Sequence, residues 1–98
     1  MKSKDVDLFD RLEKQIEATH REVGLLARKK PDGPVNKFKL KLINELLVKV
    51  NRLLEKDYLP FDDFRTFDET DLPTASDVIL VLSQYLQAIE KFREDNIE

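Results

Sequence analysis

The sequence contains no cysteine, which removes disulfides, thiolate metal sites and a cysteine nucleophile together. A single histidine, His20, is too few for a multi-histidine metal site, and neither a serine nor an acid stands at local spacing to form a catalytic relay with it. Only two glycines occur, with no Gly-rich phosphate loop and no paired-acid motif. Long apolar runs are missing as well. The longest, Val78 to Leu82, falls far short of the roughly 20 residues that span a bilayer. Met1 to Asp10 alternates charge with single apolar residues and lacks the apolar run of a signal peptide. From these absences the expectation is a soluble, cytoplasmic protein with no catalytic activity, no metal, no cofactor and no membrane contact.

What is present is helix-forming material. The chain has 98 residues, a length suited to one domain over 1–98. Ala, Glu, Lys, Leu and Arg supply 45 of them, near the half expected of long helices. Charged residues reach 38%, which suits slender helices with wide wet faces.

Three apolar stripes recur at spacings of three and four, the period of an α-helix. Phe9, Leu12, Ile16, Thr19, Val23 and Leu26 predict a first helix over about 5–29. Ser3 or Asp5 is placed to cap it, and Pro31 stops it. Interior Gly24 costs up to about 1 kcal/mol relative to Ala, which calls for a closely packed neighbour or a bend. Leu40, Ile43, Leu47, Val50 and Leu54 predict a second helix over about 36–55. With Leu42, Leu46 and Leu53 widening its stripe, it is expected to be the most buried of the three. Val78, Leu82, Tyr85, Ile89 and Phe92, widened by Ile79 and Leu86, predict a third over about 74–94. Thr74 and Asp77 stand at capping-box spacing ahead of it. Fold class is therefore all-α, a three-helix bundle.

The first connection, Lys30-Pro31-Asp32-Gly33-Pro34, concentrates turn chemistry, with Gly33 free to take positive φ. Its shortness sets the first two helices antiparallel. The second connection, residues 57–73, is the one long non-periodic stretch. Fully extended it reaches about 55 Å, enough to run the length of the bundle and leave the third helix either parallel or antiparallel to the second.

That segment carries Tyr58, Phe61, Phe64 and Phe67 at three-residue spacing among acids that include Asp62 and Asp63. Two readings compete. In one, a turn or two of helix after Pro60 tucks the rings under the loop as a satellite of the core. In the other, exposed rings among acids form a docking patch for a protein partner, with Tyr58, Phe61, Phe64, Phe67, Asp62 and Asp63 as its contact residues. Asp68-Glu69-Thr70-Asp71 lacks the glycine of a calcium loop, so a solvated acidic loop is expected there.

Charge is divided along the chain. Residues 1–56 carry 14 basic and 9 acidic side chains, +5, while 57–98 carry 3 and 11, -8. Arg28, Lys29, Lys30, Lys37, Lys39 and Lys41 crowd around the first turn. The first three suit a helix C-terminus, but the three lysines opening the second helix oppose its macrodipole. Such a violation marks function or a compensating partner, and the acidic 57–73 segment is the expected compensation, within one chain or between copies. Together these features point to a small helical protein-protein interaction or accessory module, and the near-heptad first stripe is also compatible with a homo-oligomer. The alternative is a nucleic-acid or phosphate binder using the basic corner at 28–41.

Overall fold

The computed structural model describes residues 3–97, with side-chain surroundings from Val6 onward. Three helices form, α1 Ser3–Lys29, α2 Lys37–Tyr58 and α3 Ala75–Asn96. No strand occurs among the described residues, and all three helix pairs are in contact. The arrangement is an all-α three-helix bundle. The capping role assigned to Ser3 or Asp5 lies outside the residues whose side chains are described.

The stripes close the core as their periodicity requires. Phe9, Leu12, Ile16 and Val23 of α1 are buried, as are Leu40, Ile43, Leu47, Val50 and Leu54 of α2 and Val78, Leu82, Tyr85, Ile89 and Phe92 of α3. The second helix is not the most buried. Both α2 and α3 bury six residues, and Leu42, expected to widen the α2 stripe, is 50% exposed. The reason is that α3 packs most extensively on α1 and leaves one edge of α2 uncovered.

Antiparallel contacts fix the direction of α3 relative to α1. Phe9 stacks on Phe92 with ring centroids 5.5 Å apart, and Arg93 donates to Asp10 at 2.8 Å and also to Glu13. Its guanidinium lies 4.7 Å from the centre of the Phe9 ring, within cation–π range. Further along, Ile79 lies over Gly24, where an added Cβ would sit 3.7 Å from Ile79 Cδ1. This is ordinary van der Waals contact, so the glycine marks a helix crossing without being required by it.

The turn between α1 and α2 is held by the start of α3. Val35 N donates to Pro73 O, Ala75 N to Gly33 O and Ser76 N to Pro31 O, and Pro34 and Thr74 pair as a single antiparallel bridge. Gly33 does not take the positive φ expected of it. It is needed for closeness, because a Cβ would meet Lys30 Cβ at 3.1 Å and Lys30 O at 3.2 Å. With α3 starting beside this turn, α3 runs parallel to α2, and the second connection spans the bundle from one end to the other as a strap.

Local caps accord with the chain breaks. Asn36 Oδ1 accepts from Lys39 N at 2.8 Å, and Thr74 Oγ1 accepts from Asp77 N at 3.2 Å, each satisfying an orphan donor of the first turn. Near its end α2 is interrupted at Glu55, where φ is 58° and ψ 177°. This region is essentially reserved for glycine.

Candidate functional site

The strap owes its course to two asparagines one heptad apart on α2. Asn44 Nδ2 donates to Phe67 O and Asn44 Oδ1 accepts from Phe67 N, both at 2.9 Å. Asn51 Nδ2 donates to Arg65 O at 2.9 Å, while Asn51 Oδ1 accepts from the Tyr85 hydroxyl at 2.6 Å. Burial pushes the Tyr85 phenol above its usual value near 10. Within the strap, Arg65 Nη1 donates to Phe61 O and Phe64 O at 3.0 and 2.7 Å, so the segment's single cation braces its own backbone. Asp68 Oδ1 accepts from the Thr70 hydroxyl and Thr70 N, which holds its carboxyl below the usual value.

These anchors decide where the candidate aromatics go. No helical turn forms after Pro60, yet the rings are tucked. Phe67, Phe64 and Phe61 meet in successive edge-to-face contacts at 5.0 and 5.6 Å, and Phe61 and Phe64 both reach Tyr85. Tyr58 packs edge-on against Phe92 at 5.1 Å and donates to Asp95. All four rings are half-buried and packed against the core, while Asp62 and Asp63 are exposed. The arrangement fills the groove between α2 and α3.

Among the described residues the groove between α1 and α2 has no such cover. Its upper part is an open hollow of about 580 Å³ with an aliphatic floor that includes Val23, Leu26 and Ile43. Leu25, Phe38 and Leu42 stand over it at 49%, 70% and 50% exposure. The other seven aromatic rings of the chain each touch another ring, which leaves Phe38 the one without an aromatic neighbour. Adjoining hollows carry the furrow along the bundle past Leu46 and Lys49 to Leu8 and Leu53.

Part of the basic corner borders this furrow. Lys29 and Lys39 line it, with Glu22 as the one acid of the upper hollow. Arg28, Lys30, Lys37 and Lys41 are exposed on the same helix ends. The acidic strap does not compensate them. Among the described residues the ion pairs are Lys91–Asp95, Arg93–Asp10 and Arg93–Glu13, and none of the six cations takes part. The strap lies in the opposite groove, tied down by Asn44 and Asn51.

One constellation escaped local spacing. His20 Nε2 lies 2.9 Å from Ser83 Oγ across α1 and α3, a pair that nothing within either helix announces. A Ser–His pair needs an orienting group on the second ring nitrogen and donors for an oxyanion before it works as a nucleophile. No carboxylate bonds that nitrogen among the described residues, and the contact serves as a polar tie between helices. No group of three or more His, Asp or Glu side chains among the described residues gathers to hold a metal. None of the described helices is long and apolar enough to cross a membrane.

Comparison with known proteins returns no match: no protein-family model, no curated protein and no solved structure aligns with this chain.

Proposed function

We propose that this chain is a small helical interaction module, an accessory or regulatory subunit with no catalytic step of its own, and that it docks a protein partner in the furrow between α1 and α2. The observation that carries the reading is Phe38. A phenylalanine 70% exposed, standing beside exposed Leu25 and Leu42 over a concave aliphatic floor, is the kind of aromatic anchor site that dominates protein interfaces. Leu80 is 61% exposed on α3 but has Ser76, Asp77 and Gln84 as its same-face helical neighbours, a scattered apolar residue of the ordinary sort. The strap aromatics, with Asp62 and Asp63 beside them, support docking less well, since their rings already pack on Tyr85 and Phe92.

The nucleic-acid reading keeps one observation in its favour, the six cations that form no ion pair among the described residues. Against it stands the floor that two of them, Lys29 and Lys39, border. The side chains of Val23, Leu26 and Ile43 offer no hydrogen bond to a base or phosphate, and Glu22 repels a phosphate.

Peptide display tests the proposal. Peptides selected on the wild type from a randomised library are expected to lose binding to Leu25→Ser/Phe38→Ser/Leu42→Ser, with circular dichroism showing that the variant retains its helices. Their amide perturbations should fall on residues 18–29 and 38–46. Selected peptides that bind the variant equally well, or that perturb 58–73 instead, would refute it.

A further inference from the structure

The furrow has a shape, a charge and a length, and together they specify an occupant. We infer that it takes an amphipathic helix with an acidic polar face, supplied by another protein, as the missing fourth helix of a bundle. The inference rests on the docking reading above and adds the chemistry of the partner.

Shape comes first. Two antiparallel helices with an uncovered groove present the ridges into which a further helix packs. Phe38, Leu42 and Leu46 stand at four-residue spacing along α2, and Ala18, Glu22, Leu25 and Lys29 at spacings of three and four face them across the furrow. From Leu8 to Leu25 the α1 edge covers about 26 Å at 1.5 Å per residue, the length of an occupant of about 18 residues.

Charge gives the sign. Lys29 and Lys39 line the upper hollow against Glu22 alone, and Lys41 adjoins Leu42 on the outer side. The first turn of α2 has no acidic residue, and among the described residues no ion pair offsets its lysines, which stand against the macrodipole. Carboxylates on a docked helix would relieve that. Lower down, Glu45 and Glu55 match Lys49 and Arg52 in number, which balances the far end and places selectivity in the upper half.

A second copy fits poorly. Two copies meeting furrow to furrow in parallel would bring the same cations together, a like-charge contact that disfavours association. In antiparallel they would set Lys29 and Lys39 against a charge-balanced lower half with no excess of acid to meet them. A head-to-tail contact would need an exposed apolar row on the acidic half. That half offers one large exposed apolar side chain, Leu80.

The experiment uses the full chain and two designed peptides of about 18 residues with the same Leu/Phe face, one with a glutamate polar face and one with lysine. Fluorescence anisotropy is expected to give the Glu-faced helix about a tenfold advantage at low salt. That advantage should shrink between about 0.01 and 1 M salt, where the Debye length falls from roughly 30 to 3 Å. It should disappear in Lys29→Glu/Lys39→Glu, and binding of either peptide should disappear in Phe38→Ser/Leu42→Ser. Equal binding of both peptides, lost in Phe38→Ser/Leu42→Ser, would overturn the acidic partner and leave the docking reading standing. No binding of either would overturn both. A single-stranded oligonucleotide that binds tighter than the Glu-faced helix and depends on the same lysines would replace both with the nucleic-acid alternative. Dimers in sedimentation that vanish in Phe38→Ser/Leu42→Ser would make the occupant a second copy and overturn the inference.

Discussion

Asn44 holds both polar groups of Phe67, donating to its carbonyl and accepting from its amide at 2.9 Å, so that one side chain on α2 does for the strap what a neighbouring strand does in a sheet. Asn44→Ala leaves this part-buried peptide without partners and is expected to cost about 1 to 3 kcal/mol. Amide exchange should quicken over residues 64–70 and stay slow in the middle of α1. Unchanged exchange in the strap would show that the aromatic packing alone holds it.

Leu47 is fully buried at the centre of the bundle, and Leu47→Ala is expected to cost about 2 to 5 kcal/mol in denaturant titration. A loss below about 0.5 kcal/mol, the size of ordinary surface changes, would mean that the centre of the core has been misplaced.

Glu55 is exposed and carries φ 58°, ψ 177°, a conformation that costs a non-glycine residue about 1 to 3 kcal/mol. Glycine adopts it freely, though it loses more entropy on folding. The expected result of Glu55→Gly is a net gain of about 0.5 to 2 kcal/mol, and a loss of stability would contradict the break in α2.

Tyr85 titrates above its usual value because it is buried. Its raised folded pKa means that its contribution is fully present below pH 10. It is lost as pH rises through the folded value, because the unfolded chain ionises first. Wild-type stability is therefore expected to fall above about pH 10 more steeply than that of Tyr85→Phe. At neutral pH the variant should be weaker by about 1 kcal/mol for want of the bond to Asn51. Parallel alkaline slopes in the two proteins would remove Tyr85 as the cause.

The stripes were legible because a helix repeats its face every three to four residues, so Leu40 to Leu54 and Val78 to Phe92 announce their own burial. What joins the helices was less so. The strap's direction depends on Asn44 and Asn51, two polar residues at heptad spacing in a leucine-rich helix. That signal was present, but its partners lie 23 and 14 positions away. His20 and Ser83 are 63 positions apart, and only the antiparallel packing of α1 on α3 brings them together. Phe38 stood between two lysines without belonging to any stripe, and its exposure follows from which groove the strap happens to fill. The acidic strap was expected to neutralise the basic corner, within one chain or between copies, and within the chain it makes no ion pair with any of the six cations among the described residues.

The packing of α1 on α3 also sets an order of events at the ribosome. Arg93 reaches back 83 positions to Asp10, and Phe92 does the same for Phe9. In a nascent chain holding only α1 and α2 the aliphatic faces that α3 covers in the full chain have no third helix to bury them until synthesis reaches Ala75–Asn96. Contacts of such long range delay closure relative to the local helices, which form in about a microsecond or less. Premature termination ahead of Ala75 would therefore release a fragment with Ile16, Leu47 and Val50 deprived of a third wall, a species suited to capture by chaperones and prone to aggregate.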